Sequence, residues 1–318
     1  MKRGLLAGLV LVLALGQTAL KAAEVTRIVV GFPPAQATDI VARIIAKDLE
    51  PLIGETVIVE NRPGQGGSIA LSALAKAKPD GHTMVLAPLA SMVVNPHLYK
   101  SVGYRTLTDF SLVARVADLP IVMVVNPSLP VHNVAELVAY AKANPNKLVH
   151  SSSGTGTLSH LGMEDFKRRA GIRILHVPYQ GSAAAMNDLI AGRVNVAMDT
   201  VTVTEGFVKS GKLRAIASAY SERLPAFPNV PTIGEQGYPG FSLAAWLVFV
   251  APAGTPQGRV DRLSSDIQQI VKRPDVQAQF AKLGVIPHPT GPVATTDFVR
   301  AEYERWGKVV HAIGLDAH

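Results

Sequence analysis

The sequence predicts an α/β fold divided into two lobes, and three observations carry that expectation. The chain has 318 residues, a length that favours two domains, each with a full core. From Val25 onward, short β-branched runs alternate with amphipathic stretches, the pattern of sheets covered by helices. No low-complexity linker separates the halves, so ordered segments of the chain must connect the lobes.

Strands are expected at 26–30, 56–60, 83–87, 121–125, 147–150, 174–177, 194–198, 213–217 and 245–250, too many for one small domain. The first helix follows Thr38 and Asp39, both competent N-caps, and carries Ile40, Val41, Ile44, Ile45 and Leu49 on one stripe. A second starts near Asn133, places Val134, Leu137, Val138 and Ala141 on its apolar face, and stops at Asn144-Pro145. Helices at 157–169 and 182–191 end at Gly171 and Gly192, residues that take the left-handed C-cap conformation without strain. Three more, 259–272, 275–283 and 296–313, fill the C-terminal third. Two extended segments qualify as crossings: 112–126, which passes through Pro120, and 241–251, which ends at Pro252-Ala-Gly-Thr-Pro256. A chain that crosses twice gives one lobe 23–124 plus 247–318 and the other 125–246. The cleft between them is the natural ligand site.

Composition removes several function classes. Hydrophobic residues make up 48% and charged residues 17%, far from the regime of disordered chains. With no cysteine there is no disulfide framework, thiolate metal cluster, Cys nucleophile or acylated cysteine. Residues 1–22 read as a secretory signal: Met1-Lys2-Arg3 precede an apolar run at 4–15, shorter than the roughly 20 residues a bilayer span needs. Cleavage is expected after Ala22, leaving a periplasmic protein. Without Lys2, Arg3 and Lys21 the net charge falls from +7 to +4. The remaining basic residues are scattered except for Lys167-Arg168-Arg169 near a helix end, so nucleic acid is not an expected partner.

Two strand-to-helix loops could hold an anion. The first, Gly31-Phe-Pro-Pro-Ala-Gln-Ala-Thr-Asp39, presents exposed N–H groups at a helix start, although any βα loop looks similar. The second, Ser151-Ser-Ser-Gly-Thr-Gly-Thr157, adds hydroxyls but matches neither the Walker nor the dinucleotide spacing, which points to small carboxylates rather than nucleotides. Asp199 closes a strand and is either a hydrogen-bond acceptor for ligand or the N-cap of the next helix. Tyr179 and Trp246 suit a cleft wall as amphipathic aromatics, and each also suits a core. A hydrolase built on Ser153 or Ser91 with His160 is the rival reading, weakened because no Gly-x-Ser-x-Gly elbow or His-Glu-x-x-His motif is present.

Taken together, these segments resemble the Bug family, periplasmic substrate-binding proteins of tripartite tricarboxylate transporters, over essentially the whole mature chain. The resemblance rests on Gly31-Phe-Pro-Pro-x-x-x-Thr-Asp39, Val59-Glu-Asn-Arg-Pro-Gly-x-Gly-Gly67, Lys78-Pro-Asp-Gly-His-Thr83, Asn95-Pro-His-Leu-Tyr99, Val125-Asn-Pro-Ser-Leu-Pro130, the Ser/Thr loop with His160, Val177-Pro-Tyr-Gln-Gly181 and Ala251-Pro-Ala-Gly-Thr-Pro256. It implies a type II periplasmic-binding fold, two α/β lobes closing on a small carboxylate that is handed to membrane transporter subunits or read by a signalling partner. No cofactor or metal is implied, and a monomer is expected. Mapped by motif, the ligand-binding candidates are Phe32, Ala35, Gln36, Ala37 and Asp39 in the first loop and Ser91 in the third βα loop. Ser153, Thr155, Gly156, Thr157, His160, Tyr179 and Asp199 are those of the second lobe. The sequence departs from the family pattern at Ala35-Gln36, where Gly-Gly is usual, so Gln36 is expected to project into the cleft. The segment Ala87-Pro-Leu-Ala-Ser-Met92 is also unusually apolar, which favours an aromatic or longer aliphatic acid.

Overall fold

A computed structural model describes residues 24–312 and Gly314; the expected signal segment, 1–22, and the last residue of the helix expected at 296–313 lie outside the described residues. The chain opens with β1 (Val25–Val30), whose Ile28 and Val30 are fully buried. Next comes α1 (Ala37–Ile53), which buries Val41, Ala42, Ile45 and Leu49 and ends at Gly54 in the left-handed region. Its N-cap is Gln36, so Thr38 and Asp39 lie inside the first turn and do not cap it. Then follow β2 (Thr56–Asn61), α2 (Ser68–Leu74), β3 (Thr83–Pro88), a π-helical turn (Ala90–Val94) and the single turn α3 (Asn95–Leu98).

The strand β4 (Phe110–Val125) belongs to both halves. Residues Phe110 to Pro120 pair with β9 (Ala244–Pro252), and Ile121 to Val125 pair with β7 (Val196–Thr200) and β8 (Arg214–Ser218). Pro120, which has no N–H to give a ladder, stands where the partners change. On one side of it the strand order is β2, β1, β3, β9, β4, with β10 (Ile286–Thr290) also on β4. On the other it is β4, β7, β5 (Val149–Ser152), β6 (Leu175–Pro178), with β8 also on β4. The helices between these strands are α4 (Val134–Ala143), α5 (Leu158–Ala170), α6 (Ser182–Ile190) and α7 (Val201–Lys209); α8 (Gln257–Lys272), α9 (Pro274–Lys282) and α10 (Pro292–Ala312) return to the first half. Asn133 caps α4 by accepting the Glu136 N–H at 2.8 Å, and Glu136 reaches back to the His132 N–H at 2.7 Å.

The helix α2, the π-helical turn, α3, β10 and α7 escaped the sequence reading, the last two for identifiable reasons. The strand β10 contains Pro287 and Pro289, and proline is tolerated there because β10 is an edge strand pairing on one side only, with β4. Helix α7 begins Val-Thr-Val-Thr, a β-branched run of low helix propensity that packing against β4 and β7 overrides.

Candidate functional site

Strands β1 and β3 in one half and β5, β6 and β7 in the other send their carboxyl ends toward a shared cavity of about 90 Å³. Four helices begin at it. Gln36, Ala37 and Thr38 come from the start of α1, Thr157, Leu158 and Ser159 from α5, Ser182 from α6, and Thr200 and Val203 from α7. None of the four N-cap residues carries a side-chain cap, so first-turn N–H groups of all four are left without one, the arrangement that accepts an anion. Hydroxyls reinforce it: Ser159 Oγ lies 2.9 Å from both Ser153 Oγ and Thr157 Oγ1 and accepts the Ser153 N–H at 2.9 Å. Phe32, Pro88, Ala90, Leu119, Ile121, Leu158, Val203 and Ala245 form the apolar wall. Among the described residues no Lys, Arg, His or Glu lines the cavity, and Asp199 is its single ionisable side chain.

Of the residues expected from the sequence, Phe32, Gln36, Ala37, Ser153, Thr157 and Asp199 line the cavity. The others do not line it. Asp39 turns inward and accepts from the Ala35 N–H at 2.9 Å, Asn61 Nδ2 at 2.9 Å and Arg43 Nε at 3.0 Å. Burial pushes its carboxyl up, but those donors outweigh burial and hold it below the usual carboxylate range. Ser91 donates to the Pro88 carbonyl at 3.1 Å and packs behind Gly67. Thr155 is exposed, and the Tyr179 hydroxyl donates to Asp188 at 2.6 Å, away from the lining. Trp246 is core: its indole donates to buried Glu302 at 2.9 Å.

At Gly156 and at Gln36 the two halves approach closely. A Cβ on Gly156 would fall 2.4 Å from Leu98 and 3.3 Å from the Asn95 amide oxygen, both across the cleft. A Cβ on Gly181 would lie 2.8 Å from Gln36 Nε2, which places the Gln36 amide across the cleft beside the start of α6. The sequence reading missed Thr38, Ser159, Ser182 and Thr200. Each stands at a helix start beside a residue already singled out, and that position was the signal available.

Behind the 153–157 loop, three histidines stack. His150 and His176 are register partners on β5 and β6 with ring centroids 4.7 Å apart, and His160 from α5 lies 4.0 Å from His176. His160 Nδ1 accepts the Gly156 N–H at 3.2 Å, and Ser152 Oγ meets His176 Nε2 at 2.7 Å. Neither Ser153 nor Ser91 is hydrogen-bonded to His160 among the described residues. Burial, then repulsion from His150 and Lys167 working against Glu164, lowers His160 to about 4, and burial with its neighbours lowers His176 to about 3.

Burial also pushes Asp199 up to about 6, partly offset by the Ser182 hydroxyl and by the Thr200 N–H, which it accepts at 2.8 Å. One group of possible metal ligands exists among the described residues, Glu24, Glu55 and His82. Glu55 Oε2 accepts Arg259 at 2.7 Å, so a guanidinium already stands where a cation would bind.

Ala35 is strained. Its φ of 64° lies in the left-handed region, held there by its bond to Asp39, and a Cβ in that region costs about 1–2 kcal/mol. Ala35→Gly relieves that strain against about 0.4–1 kcal/mol of added unfolded-chain freedom, so urea titrations should show a net gain of up to about 1 kcal/mol, and a loss of stability would show that Ala35 is not strained.

The family described as "Tripartite tricarboxylate transporter family receptor" (TctC) matches residues 41–315. The chain is 38% identical over 291 residues to a Pseudomonas protein from the tcbD-tcbE intergenic region, covering 91% of this chain and 86% of that one. It is 36% identical over 289 residues to BugT of Bordetella pertussis, covering 91% and 89%. Among solved structures, the periplasmic binding protein BugD superposes with a TM-score of 0.85 at 34% identity, covering 92% of this chain and 98% of that one. R. palustris Rpa4515 with adipate does so at 0.88 and 33% (92% and 98%), and MatC of Rhodopseudomonas palustris with bound malate at 0.83 and 30% (90% and 98%). With that likeness spanning both lobes and the cleft, the chain belongs to the TctC family of tripartite tricarboxylate transporter receptors, the Bug-type periplasmic binding proteins.

Proposed function

We propose that this protein captures a small carboxylate in its cleft and presents it unchanged to a tripartite tricarboxylate-type transporter. The carrying observation is the convergence of four uncapped helix N-termini and a hydroxyl cluster on a cavity without a cation. Phe32, Gln36, Ala37, Ser153, Thr157 and Asp199 would meet the ligand; Ala35, Asp39, Ser91, Thr155, Gly156, His160 and Tyr179 would shape the loops that do. The apolar wall favours an aromatic or longer aliphatic acid, and the adipate and malate bound to relatives lie within the class. The lobes would be 23–124 plus 247–318 and 125–246, hinged through β4 and β9. A catalytic role finds little support: a histidine held at about 3 or 4 is a poor base at neutral pH.

The test is a thermal-shift and calorimetry panel of mono-, di- and tricarboxylates with their amides and esters. A ligand at a hundredfold excess over its Kd should add about 2.7 kcal/mol to stability. Equal stabilisation by the neutral analogues would overturn the anion reading, and conversion of the acid during incubation would overturn the non-catalytic one. Loss of uptake in cells lacking the protein distinguishes transport from sensing. Among the described residues no helix is long and apolar enough to cross a membrane. Export with removal of residues 1–22 and a monomeric state complete the proposal; mass spectrometry of the exported protein and sedimentation check them.

A further inference from the structure

The cavity poses an electrostatic problem that four helix N-termini do not solve. Its single ionisable group, Asp199, carries the same sign as the proposed ligand, is 4% exposed, and sits on β7 opposite Val122 of β4. The elements packed around it contribute Ser182 from α6, Thr200 at the start of α7, Ser153, Thr157 and Ser159 around α5, and Gln36 and Thr38 from α1. None of these titrates between pH 4 and 9, and none can neutralise a second anion. The stacked histidines stand behind the 153–157 loop, outside the lining. Two carboxylates enclosed in so small a space do not both stay ionised, because desolvation and mutual repulsion both favour the proton-bound form.

Resting on the carboxylate-capture reading, we infer that Asp199 makes capture proton-linked: the ligand end beside it must bring a hydrogen-bond donor, and an acid that has none enters together with one proton. The proton comes from solvent and is held between a ligand oxygen and an Asp199 oxygen, and no bond of the ligand is broken. The other end of the ligand remains an anion on the helix N-termini. Burial has already moved Asp199 toward the proton-bound form before any ligand arrives. An acid with its own hydroxyl or ammonium at that position satisfies Asp199 without the proton. Asp199 thereby sorts ligands by the chemistry of the buried end, and affinity for donor-free acids falls as pH rises above about 6.

The experiment is calorimetry of the wild-type protein at pH 7.5 in two buffers of different ionisation enthalpy. Succinate, glutarate, adipate and pimelate serve as probes, each with a second carboxylate to meet Asp199 and none with a donor of its own. The expected result is uptake of close to one proton per acid bound, with affinity falling up to tenfold per pH unit between pH 6.5 and 8.5. Asp199→Asn, which supplies a fixed donor, should bind the same acids with no uptake and a flat pH profile. Binding of these acids with no proton uptake and pH-independent affinity overturns the inference while leaving carboxylate capture standing. Failure of every carboxylate in the wider panel to bind at any pH overturns both. The wild-type measurement stands alone if Asp199→Asn does not fold.

Discussion

Acidification from pH 6.5 to 4 should destabilise the protein through the histidine stack, with His160 alone accounting for about 3 kcal/mol. An unfolded histidine takes its proton near 6.5, whereas burial lowers His160 to about 4. At about 1.4 kcal/mol per tenfold change in proton affinity, that gap sets the magnitude. Between the two values the unfolded chain binds more protons, so stability is fully present above pH 6.5 and is lost as pH falls toward 4. The loss is also local: a protonated His160 Nδ1 can no longer accept the Gly156 N–H, and Gly156 is where the 153–157 loop meets the opposite lobe.

Asp199 works in the other direction. Its folded value of about 6 lies above the 3.8 of an unfolded aspartate, so its contribution is fully present below pH 3.8 and is lost as pH rises through 6. Urea titrations from pH 4 to 8 separate the two. His160→Gln, whose amide oxygen can still accept the Gly156 N–H, should flatten the acid limb by about 3 kcal/mol. Asp199→Asn should steepen it by a similar amount and be more stable than wild type at pH 8. Identical slopes for all three proteins would show that neither residue controls the profile.

The passage of β4 from one set of partners to the other was legible because 112–126 is a long apolar extended run, and Pro120 stands where the partners change. The two cavity-lining loops were legible as strand-to-helix turns, the first from Gly31 and two prolines and the second from its run of glycine and hydroxyl residues. What the sequence hid was which side of each loop faces the cavity. Thr157 and Ser159 aim inward while Thr155 is exposed, and no periodicity governs a loop of that kind. Asp39 belongs to the motif of the first loop, but its partner Asn61 comes from β2, 22 residues away, a contact that only the parallel pairing of β1 and β2 creates. The histidine stack was hidden for a similar reason: His150 and His176 meet only through the register of β5 on β6.

Gly31→Ala is the substitution expected to disturb the site most for the least chemical change. Gly31 follows β1 directly, and a Cβ there would stand 2.5 Å from the Gly67 Cα and 3.1 Å from its carbonyl oxygen. Both are backbone atoms, so no rotamer change relieves the overlap. Gly67 cannot retreat either. It has φ 96°, and a Cβ on its own far side would already be 3.2 Å from Ser91 Cβ. Ser91 is in turn fixed to the Pro88 carbonyl. The loops after β1, β2 and β3 are thus stacked glycine on glycine on serine, and one methyl must separate the first from the second. Overpacking of this kind costs about 1–3 kcal/mol. The shift falls on Phe32, Gln36 and Ala37, which line the cavity, so carboxylate affinity should fall by tenfold or more beyond any change in stability. Urea titration reads the first effect and calorimetry with adipate or the tightest acid of the panel reads the second. A variant with wild-type stability and affinity would show that the stacked loops have room the geometry denies. A variant destabilised but binding normally would mean that the first loop does not position the ligand.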